Sequence, residues 1–323
     1  MRVLFVSSGT TDEGVNSLIR DQGESLKEQG ILIEYFIIKN KGISGYLRNI
    51  LKLKNHLKKN QYDIIHAHYG LSGFVALIAK QKRNKLIISF MGTDLMGNVS
   101  RNGTITILGR SLVTVSQLLV KNADYVIVKS QAMANKLVSA KVSIIPNGLD
   151  LKLFHSIDKS FALSRVGWDK QFQHILFMSD PKRPEKNYLL TETALNYLEN
   201  CNIQLHFLNH ISHNEVVFYY NASDVCLLSS YHEGSPNVIK EAMACNCPIV
   251  STNVGDVKWL LGNTDGCFIT SFEPEDVADK IKKALKFGQK TNGCNRIIEL
   301  GLDAKNVARE ILDLYKKVLK VYN

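Results

Sequence analysis

The sequence predicts an α/β protein built from two parallel-sheet domains. Short apolar runs alternate with longer amphipathic stretches, which is the pattern of buried strands joined by crossover helices. This pattern occurs in two series, separated by the turn-rich segment Pro146–Asp150. The chain has 323 residues, 45% of them apolar, which is enough for two ordinary domains.

The first series predicts six strands and the helices between them. The expected strands are Arg2–Ser7, Leu32–Ile38, Ile64–Ala67, Leu86–Phe90, Tyr125–Val128 and Val142–Ile145. The expected helices are Val15–Gln29, Ser44–Lys59, Leu71–Gln81, Ile105–Asn122 and Ala132–Ala140.

The second series predicts five strands and four helices. The expected strands are His174–Met178, Ile203–Leu208, Val225–Leu228, Pro248–Ser251 and Cys267–Ile269, and the expected helices are Tyr188–Glu199, Glu215–Asn221, Val238–Ala244 and Pro274–Phe287. We therefore expect two Rossmann-like domains, residues 1–150 and 151–303, that face each other across a cleft. The terminal segment 304–323 is expected to be a helix that packs back on the first domain.

The composition excludes several protein classes. With 22% charged residues and only 6 Pro, the chain is neither a disordered tail nor a fibrous repeat. No apolar run reaches the roughly 18–20 residues that cross a bilayer, and the apolar start is too short for a signal peptide. We expect a cytoplasmic protein. The 6 cysteines lack the spacing of zinc sites, so we expect reduced thiols and no metal.

The excess of positive over negative charge is confined to the first half of the chain. Residues 1–155 contain 21 Lys and Arg against 10 Asp and Glu, whereas residues 156–323 contain 19 against 20. The densest block, Lys39–Lys59, contains no acid, and its apolar residues recur near helical spacing. It fits a solvated helix face or a surface that docks on an anionic membrane, and less well a nucleic-acid site, because it lacks an aromatic stacking pattern and a known reading motif. The residues assigned to this membrane or acceptor side are Arg48, Lys52, Lys54, Lys58 and Lys59.

The segment Ser229–Pro248 carries the strongest chemical signal. It follows an apolar strand, and Ser235 before Pro236 predicts the start of a helix, whose first amides favour an anion such as phosphate. Glu233 and Glu241 flank this start. Carboxylates would repel a diphosphate, so they are better suited to accept hydrogen bonds from sugar hydroxyls on either side of it. The alternative is a surface loop with two solvated glutamates.

The run Glu233–Ala244 resembles the Glu-x7-Glu signature of glycosyltransferase family 4, which comprises retaining enzymes with the GT-B fold of two Rossmann-like domains. The resemblance extends in the family's order to MRVLFVSSG at the start, DIIHAHYGLSG (63–73), SFMGTD (89–94), NADYVIVKS (122–130) and PNGLDLKLF (146–154). It implies an acceptor domain in residues 1–150 and a nucleotide-sugar donor domain in residues 151–303.

The resemblance also implies roles for individual residues of the donor domain. Glu241 would hold the ribose hydroxyls, and Glu233 the hydroxyls of the donor sugar. Lys186 would stabilise the leaving diphosphate together with Lys182 or Arg183, whose positions both fit an arginine partner. The loop and helix start that would receive the sugar and diphosphate comprise Gly234, Ser235, Pro236, Asn237 and Val238.

In the first domain, Gly9 and Gly14 would let the backbone approach a phosphate or an acceptor. A glycine-containing first loop also suits a nicotinamide cofactor, but the GxGxxG spacing is missing. Many relatives have a histidine where this chain has Met91. We expect Asp94, or one of His66 and His68, to contribute in its place, with at most one of the two histidines facing the cleft.

These observations predict a retaining, metal-independent glycosyltransferase of the hexosyltransferase type. It would use a nucleotide-diphosphate sugar, with UDP-sugars favoured, and need no cofactor. The acceptor would be a hydroxyl of a lipid-linked glycan in surface polysaccharide assembly, at the inner face of a membrane, with no nucleic-acid partner. The alternatives are a nucleotide-sugar epimerase of the same fold and a non-catalytic scaffold that binds glycan or lipid.

Overall fold

The computed structural model describes residues 1–9, 14–39, 43–100, 103–137, 141–198 and 202–320. The chain divides into two compact units. The first comprises Met1–Asn98, Thr106–Gly148 and Ala304–Asn323, and the second comprises Val99–Ile105 and Leu149–Asp303. Nothing in the sequence pointed to the grouping of Val99–Ile105 with the second unit.

The first unit is built on a parallel sheet of six strands in the order β2-β1-β3-β4-β5-β6. The strands are β1 (Arg2–Ser8), β2 (Leu32–Ile38), β3 (Ile64–His68), β4 (Lys85–Ser89), β5 (Tyr125–Val128) and β6 (Val142–Ile144). The helices are α1 (Ser17–Lys27), α2 (Ile43–Lys59), α3 (Gly70–Ala79), α4 (Thr93–Met96), α5 (Ile107–Asn122) and α6 (Gln131–Ala134).

The second unit is built on a parallel sheet of five strands in the order β11-β10-β9-β7-β8. The strands are β7 (Gln173–Phe177), β8 (Ile203–Phe207), β9 (Val225–Leu228), β10 (Ile249–Thr252) and β11 (Cys267–Thr270). The helices are α7 (Lys159–Val166), α8 (Tyr188–Leu195), α9 (Val216–Ala222), α10 (Asn237–Ala244), α11 (Val257–Leu261), α12 (Pro274–Phe287) and α13 (Gly293–Glu299).

Helices cover both faces of each sheet, because alternate strand residues send apolar side chains to opposite faces. In the first unit, α2, α3 and α5 pack on one face, while α1 and the last helix, α14 (Ala304–Lys320), pack on the other. In the second unit, α9, α10, α11 and α13 cover one face, and α8 and α12 cover the other. The predicted α/β class with two parallel-sheet, Rossmann-like units is confirmed.

The strand predictions agree with the structure to within one or two residues. The helices α4, α7, α11 and α13 were not predicted, and α5 begins at Ile107 rather than Ile105. These helices are short, or begin among turn residues, so they present too few apolar repeats for a helical period to stand out. The described cysteines are free thiols; Cys201 lies outside the described residues.

Candidate functional site

Three segments that follow neighbouring strands of the second unit converge at one edge of its sheet. Lys186 comes after β7, Glu233 after β9 and Asp256 after β10, and these strands are adjacent in the order β10-β9-β7. The carboxyl ends of parallel strands lie at the same edge, where open α/β sheets bind ligands. The sheet order therefore explains why residues distant in sequence meet here.

Lys186 and Glu233 form a largely buried ion pair. Lys186 Nζ donates to Glu233 Oε1 over 2.6 Å, and the two side chains are 9% and 15% exposed. Ser230 Oγ donates to the same carboxylate oxygen over 2.7 Å. Sequence reasoning proposed Lys186 and Glu233 separately; their direct contact is a finding of the structure.

The turn that carries Lys186 is fixed to the segment that carries Glu233. Lys186 ends a single 3₁₀ turn, Pro184–Lys186, and the following Asn187 has a left-handed backbone with φ of 51°. Ser229 Oγ lies 3.0 Å from the carbonyl oxygens of both Lys186 and Asn187, and the Tyr231 amide donates to the Glu185 carbonyl over 3.0 Å. These bonds fix the backbone of Lys186 to the segment that follows β9.

The two candidates for the arginine partner lie on the exposed side of this turn. Arg183 Nε donates to Glu185 Oε1 over 2.8 Å, and its side chain is half exposed. Lys182 is exposed, and its amide donates to Asp180 Oδ1. Because Arg183 is already paired with a neighbouring carboxylate, a diphosphate would have to compete with Glu185 for it.

The N-cap of α10 lies one residue later than the Ser235–Pro236 pair predicts, and the helix begins one residue earlier than the expected range Val238–Ala244. The sequence predicted Ser235 as the N-cap and Pro236 as the first helical residue. In the structure Pro236 caps the helix without a side-chain hydrogen bond, and the first helical residues are Asn237 and Val238. Ser235 is nearly buried, and its hydroxyl faces the Asp256 carboxyl instead. The amides of Asn237 and Val238 thus form the open N-terminus of α10.

Glu241 lies in the second turn of α10 and is nearly buried. Tyr220, from α9, donates its hydroxyl to Glu241 Oε2 over 2.8 Å. His213 Nε2 lies 3.9 Å from the other carboxylate oxygen. Burial raises the pKa of Tyr220 well above its usual value, with the Glu241 charge adding to the effect, so this hydroxyl stays a donor. Sequence reasoning identified Glu241 but missed both neighbours, which have no motif of their own.

A second charged pair lies behind the loop of Glu233. Lys240 is 1% exposed, and the carboxylate oxygens of Asp256 are buried. Burial lowers the pKa of Lys240 to about 8, although the charges of Asp256 and Glu241 act to raise it. Burial raises the pKa of Asp256 to about 6, although the Ser235 hydroxyl and the Lys240 charge act to lower it. Sequence reasoning missed this pair, because a lysine is normally assigned to an exposed helix face.

The β10–α11 loop contacts the Glu233 loop backbone to backbone. Gly255 has φ of 60°, and a Cβ added there would lie 2.6 Å from the Gly234 carbonyl oxygen and 3.0 Å from that of Glu233. Only glycine permits this approach without strain. The loop that holds Asp256 therefore supports Glu233 and Gly234 directly.

Asp94, in the first unit, holds backbone rather than presenting its carboxylate to a ligand. Its side chain is fully buried, and its oxygens accept hydrogen bonds from the amides of Gly70, Met91 and Gly92 at 2.9–3.1 Å. Burial raises the pKa of Asp94 to about 6, although those amides oppose the shift. Its expected role as a catalytic residue is corrected to that of a positioning residue.

The expectation that at most one of His66 and His68 faces the cleft assumed that the two side chains point to opposite faces of the strand, and that assumption was wrong. Residues two apart on a strand share a face, and the two rings stack with centroids 4.3 Å apart. His66 Nδ1 is 2.6 Å from the Tyr315 hydroxyl, and Nε2 is 2.7 Å from Ser89 Oγ. Both histidines are buried, and burial lowers the pKa of His68 to about 3.

The remaining proposed residues of the first unit lie on its surface or in its first loop. The Gly9 amide donates to the Ile38 carbonyl over 3.3 Å, and Gly14 has φ of 110°; residues 10–13 between them lie outside the described residues. The five basic residues of α2 are all exposed, namely Arg48, Lys52, Lys54, Lys58 and Lys59.

The described ranges contain neither a candidate metal-binding cluster nor a candidate membrane-spanning helix. Among those residues, no three His, Cys, Asp or Glu side chains gather where a metal ion could be held. Across the same residues, no helix combines the length and apolar character needed to span a bilayer.

Two family models match separate parts of the chain. Residues 14–153 match the model described as Glycosyltransferase Family 4, and residues 184–300 match Glycosyl transferases group 1. Together these matches cover most of both units.

The curated relatives carry a consistent description. D-inositol 3-phosphate glycosyltransferase 2 of Catenulispora acidiphila is 25% identical over 286 residues, which cover 74% of this chain and 66% of that protein. D-inositol 3-phosphate glycosyltransferase of Streptosporangium roseum is 21% identical over 285 residues, covering 73% and 64%. The matched region thus spans slightly less than two thirds of these relatives.

Solved structures resemble the chain over its full length. Sucrose-phosphate synthase from Thermosynechococcus elongatus matches with a TM-score of 0.77 at 19% identity, covering 99% of each chain. Anabaena HepE in complex with UDP and glucose matches with a TM-score of 0.75 at 18% identity, covering 98% of this chain and 99% of that one. At such identities the likeness shows the GT-B fold. The chain thus carries a glycosyltransferase family match in each of its two units, Glycosyltransferase Family 4 in the first and Glycosyl transferases group 1 in the second.

Proposed function

We propose that this chain transfers a sugar from a nucleotide-diphosphate donor to an acceptor hydroxyl. The observation that carries the proposal is the Lys186–Glu233 ion pair beside the N-terminus of α10, with Glu241 on the next turn. A cation, open helix amides and two carboxylates in one place suit a ligand that combines phosphates with hydroxyl groups. One protein of the same fold, Anabaena HepE, was solved with UDP and glucose, with UDP and with UDP-glucose, which favours a UDP-sugar donor.

The binding step exchanges partners at Lys186. A diphosphate at the N-terminus of α10 attracts the Lys186 ammonium away from Glu233, aided by Arg183 once it leaves Glu185. The Glu233 carboxylate then accepts hydrogen bonds from donor sugar hydroxyls. Glu241, oriented by Tyr220, accepts hydrogen bonds from the ribose hydroxyls.

The transfer step breaks the bond between the anomeric carbon and the diphosphate oxygen and forms a bond from that carbon to the acceptor oxygen. The acceptor's proton passes to the leaving diphosphate, and same-face attack retains the anomeric configuration. Lys186 stabilises the charge that develops on the diphosphate, so the reaction proceeds without a metal. The acceptor we favour is a lipid-linked glycan in surface polysaccharide assembly, taken by the strongly basic first unit.

Thermal stabilisation by nucleotides tests the donor site. A ligand at about 100 times its dissociation constant adds roughly 2.7 kcal/mol to the unfolding free energy. The unfolding temperature is measured with UDP, GDP, ADP and NAD, for the natural protein and for Glu241→Ala. Stabilisation by one nucleoside diphosphate that the substitution reduces supports the proposal and identifies the base. Stabilisation by NAD alone, or by none of the four, overturns it.

Product analysis then tests the reaction itself. The anomeric configuration of the product, determined by NMR, distinguishes retention from inversion. Full activity after treatment with a metal chelator is expected for a metal-independent enzyme. A protein that binds the nucleotide but neither transfers nor hydrolyses any donor would instead be a non-catalytic scaffold.

A further inference from the structure

The outer faces of α2, α3 and α5 form a surface without acidic residues, called here the α2–α3–α5 surface. Between residues 35 and 123 the chain has 14 Lys and Arg but only two acids, Asp63 and Asp94. Asp94 is fully buried, and Asp63 lies outside all three helices, where its carboxylate accepts from the Arg2 amide over 2.7 Å. Two of the counted lysines, Lys80 and Lys85, pair with Asp124, which follows α5. The seven lysines and arginines on the helices themselves have no acid on the same helices to offset their charge.

Large apolar side chains are exposed on the same surface. Leu47 and Leu51 of α2 are 54% and 66% exposed, and Ile107 and Leu108 at the start of α5 are 86% and 74% exposed. Ile78 of α3 is also exposed. The core contacts of α2 come instead from its opposite side, through residues Ile50, Leu53 and Leu57. The exposed leucines and isoleucines thus contribute nothing to the core of the unit.

The apolar and basic groups of α2 follow the same stripe. Leu47, Leu51, Lys54 and Lys58 are spaced by four, three and four residues, which places them in line along one side of the helix. Arg48 and Lys52 lie directly beside the two leucines. The helix α3 lies between α2 and α5 and contacts both on the same face of the sheet, so the three outer faces adjoin.

We propose that the α2–α3–α5 surface docks on an anionic lipid bilayer. The lysine and arginine heads would lie at the level of the lipid phosphates, and the exposed leucines and isoleucines would insert below them. A nucleic acid would contact the cations but leave the apolar side chains in water. A second copy of the chain would bring two positive surfaces together. Only an anionic membrane complements both properties.

The docking proposal does not depend on sugar transfer, because the test measures partition onto vesicles and not turnover. Vesicle flotation is carried out with the whole chain on phosphatidylcholine vesicles and on vesicles in which about one third of the lipid is phosphatidylglycerol. We expect binding to the anionic vesicles only. Absence of binding, or equal binding to both vesicles, overturns the proposal.

Two paired variants separate the cationic from the apolar contribution. Lys54→Gln with Lys58→Gln should lower the partition coefficient about 30-fold, at about 1 kcal/mol for each basic residue. Leu47→Ser with Leu51→Ser should lower it at least about tenfold, because the leucines no longer enter the lipid. If the leucine pair leaves binding unchanged, the surface does not insert, and the proposal fails.

Matched controls lie on the second unit. Lys282→Gln with Lys286→Gln on α12 removes the same charge, and Ile298→Ser on α13 removes an apolar side chain of similar exposure. These controls should bind vesicles as the natural protein does; an equal loss would show a nonspecific charge effect and overturn the assignment. The surface would instead bind nucleic acid if three results were found together. All the proteins would bind duplex DNA, the DNA would abolish their binding to vesicles, and Leu47→Ser with Leu51→Ser would leave vesicle binding unchanged.

Discussion

Lys186 Nζ and Ser230 Oγ both donate to one oxygen of Glu233, over 2.6 and 2.7 Å. Before any donor binds, Lys186, which we assign to the diphosphate, is therefore paired with Glu233, which we assign to the sugar. A donor that carries both a diphosphate and a sugar replaces the Lys186–Glu233 ion pair with two interactions, one between Lys186 and the diphosphate and one between Glu233 and the sugar. This exchange ties the positioning of the sugar to the binding of the phosphates.

Glu233→Gln tests this exchange. The amide cannot balance the Lys186 charge or bind sugar hydroxyls as a carboxylate does, but Lys186 remains available to phosphate. We expect turnover to fall about 100-fold, while the dissociation constant of the nucleoside diphosphate changes less than about threefold. Steady-state kinetics and calorimetry provide the two numbers. Ser230→Ala is the control, since it keeps the ion pair; full turnover of Glu233→Gln with every donor would refute the site.

Tyr220→Phe tests the orientation of Glu241. Without the hydroxyl, Glu241 Oε2 loses its buried donor, which should cost about 1–3 kcal/mol of unfolding free energy and weaken nucleotide binding about tenfold. Urea unfolding and titration calorimetry measure the two effects. Tyr219→Phe on the same helix is a suitable control, because Tyr219 contacts Trp168 instead. Unchanged nucleotide affinity in Tyr220→Phe would remove Glu241 from the ribose site.

Lys240 and Asp256 should be energetically coupled. Lys240→Met removes the cation whose charge favours the buried Asp256 carboxylate, and Asp256→Asn removes one of the two carboxylates whose charge favours the buried Lys240 ammonium, so each single change should destabilise the protein by about 1–3 kcal/mol. The double variant should recover about 1–2 kcal/mol of that sum. Urea unfolding of the four proteins measures the coupling. Strictly additive effects would mean that the two groups do not interact.

Acid should destabilise the second unit through a pair of histidines. His174 Nε2 donates to the Asp169 carbonyl over 2.9 Å, so His174 Nδ1 accepts from His206 Nε2, also over 2.9 Å, and the His206 ring stacks on Trp168. Burial, and then the charge of His174, lowers the pKa of His206 to about 4. The unfolded chain therefore binds more protons than the folded one between pH 6.5 and about 4, and stability is lost as the pH falls through this window.

His206→Gln isolates this contribution. We expect the natural protein to lose about 1 kcal/mol more than the variant between about pH 7 and pH 5, a small value because the His206 side chain is only partly buried and solvent screens its charge. Urea unfolding at both pH values provides the comparison. The buried His66 and His68 are present in both proteins, so their contribution cancels. Parallel losses in the two proteins would assign the acid sensitivity to other groups.

The sequence was sufficient for the fold and for the residues that lie within one motif. The strands were recognisable because their apolar runs are buried on both faces, and Glu233 and Glu241 because they flank the start of α10. The contact between Lys186 and Glu233 was not recognisable, since it spans 47 positions and depends on a turn held by Ser229. The spacing of residues within one motif does not reveal a contact between two segments that are distant in sequence.

Buried polar residues account for the other failures. A lysine within a helical segment, such as Lys240, is normally assigned to an exposed helix face. An acid that follows a strand, such as Asp94, is at a place where catalytic groups are common. The structure buries both, and whether a polar side chain is buried depends on the elements packed around it. The two histidines of β3 are a different case, since strand periodicity alone predicts that they share a face.

The helix α14 closes the core of the first unit from the far end of the chain. Val307, Ile311 and Leu314 pack against Val3 and Phe5, and Tyr315 reaches His66. During synthesis the first unit therefore begins to form before the second but is completed only after it, when α14 leaves the ribosome. Until then only α1 covers that face of the sheet. The unit that is translated first is therefore the one that is completed last.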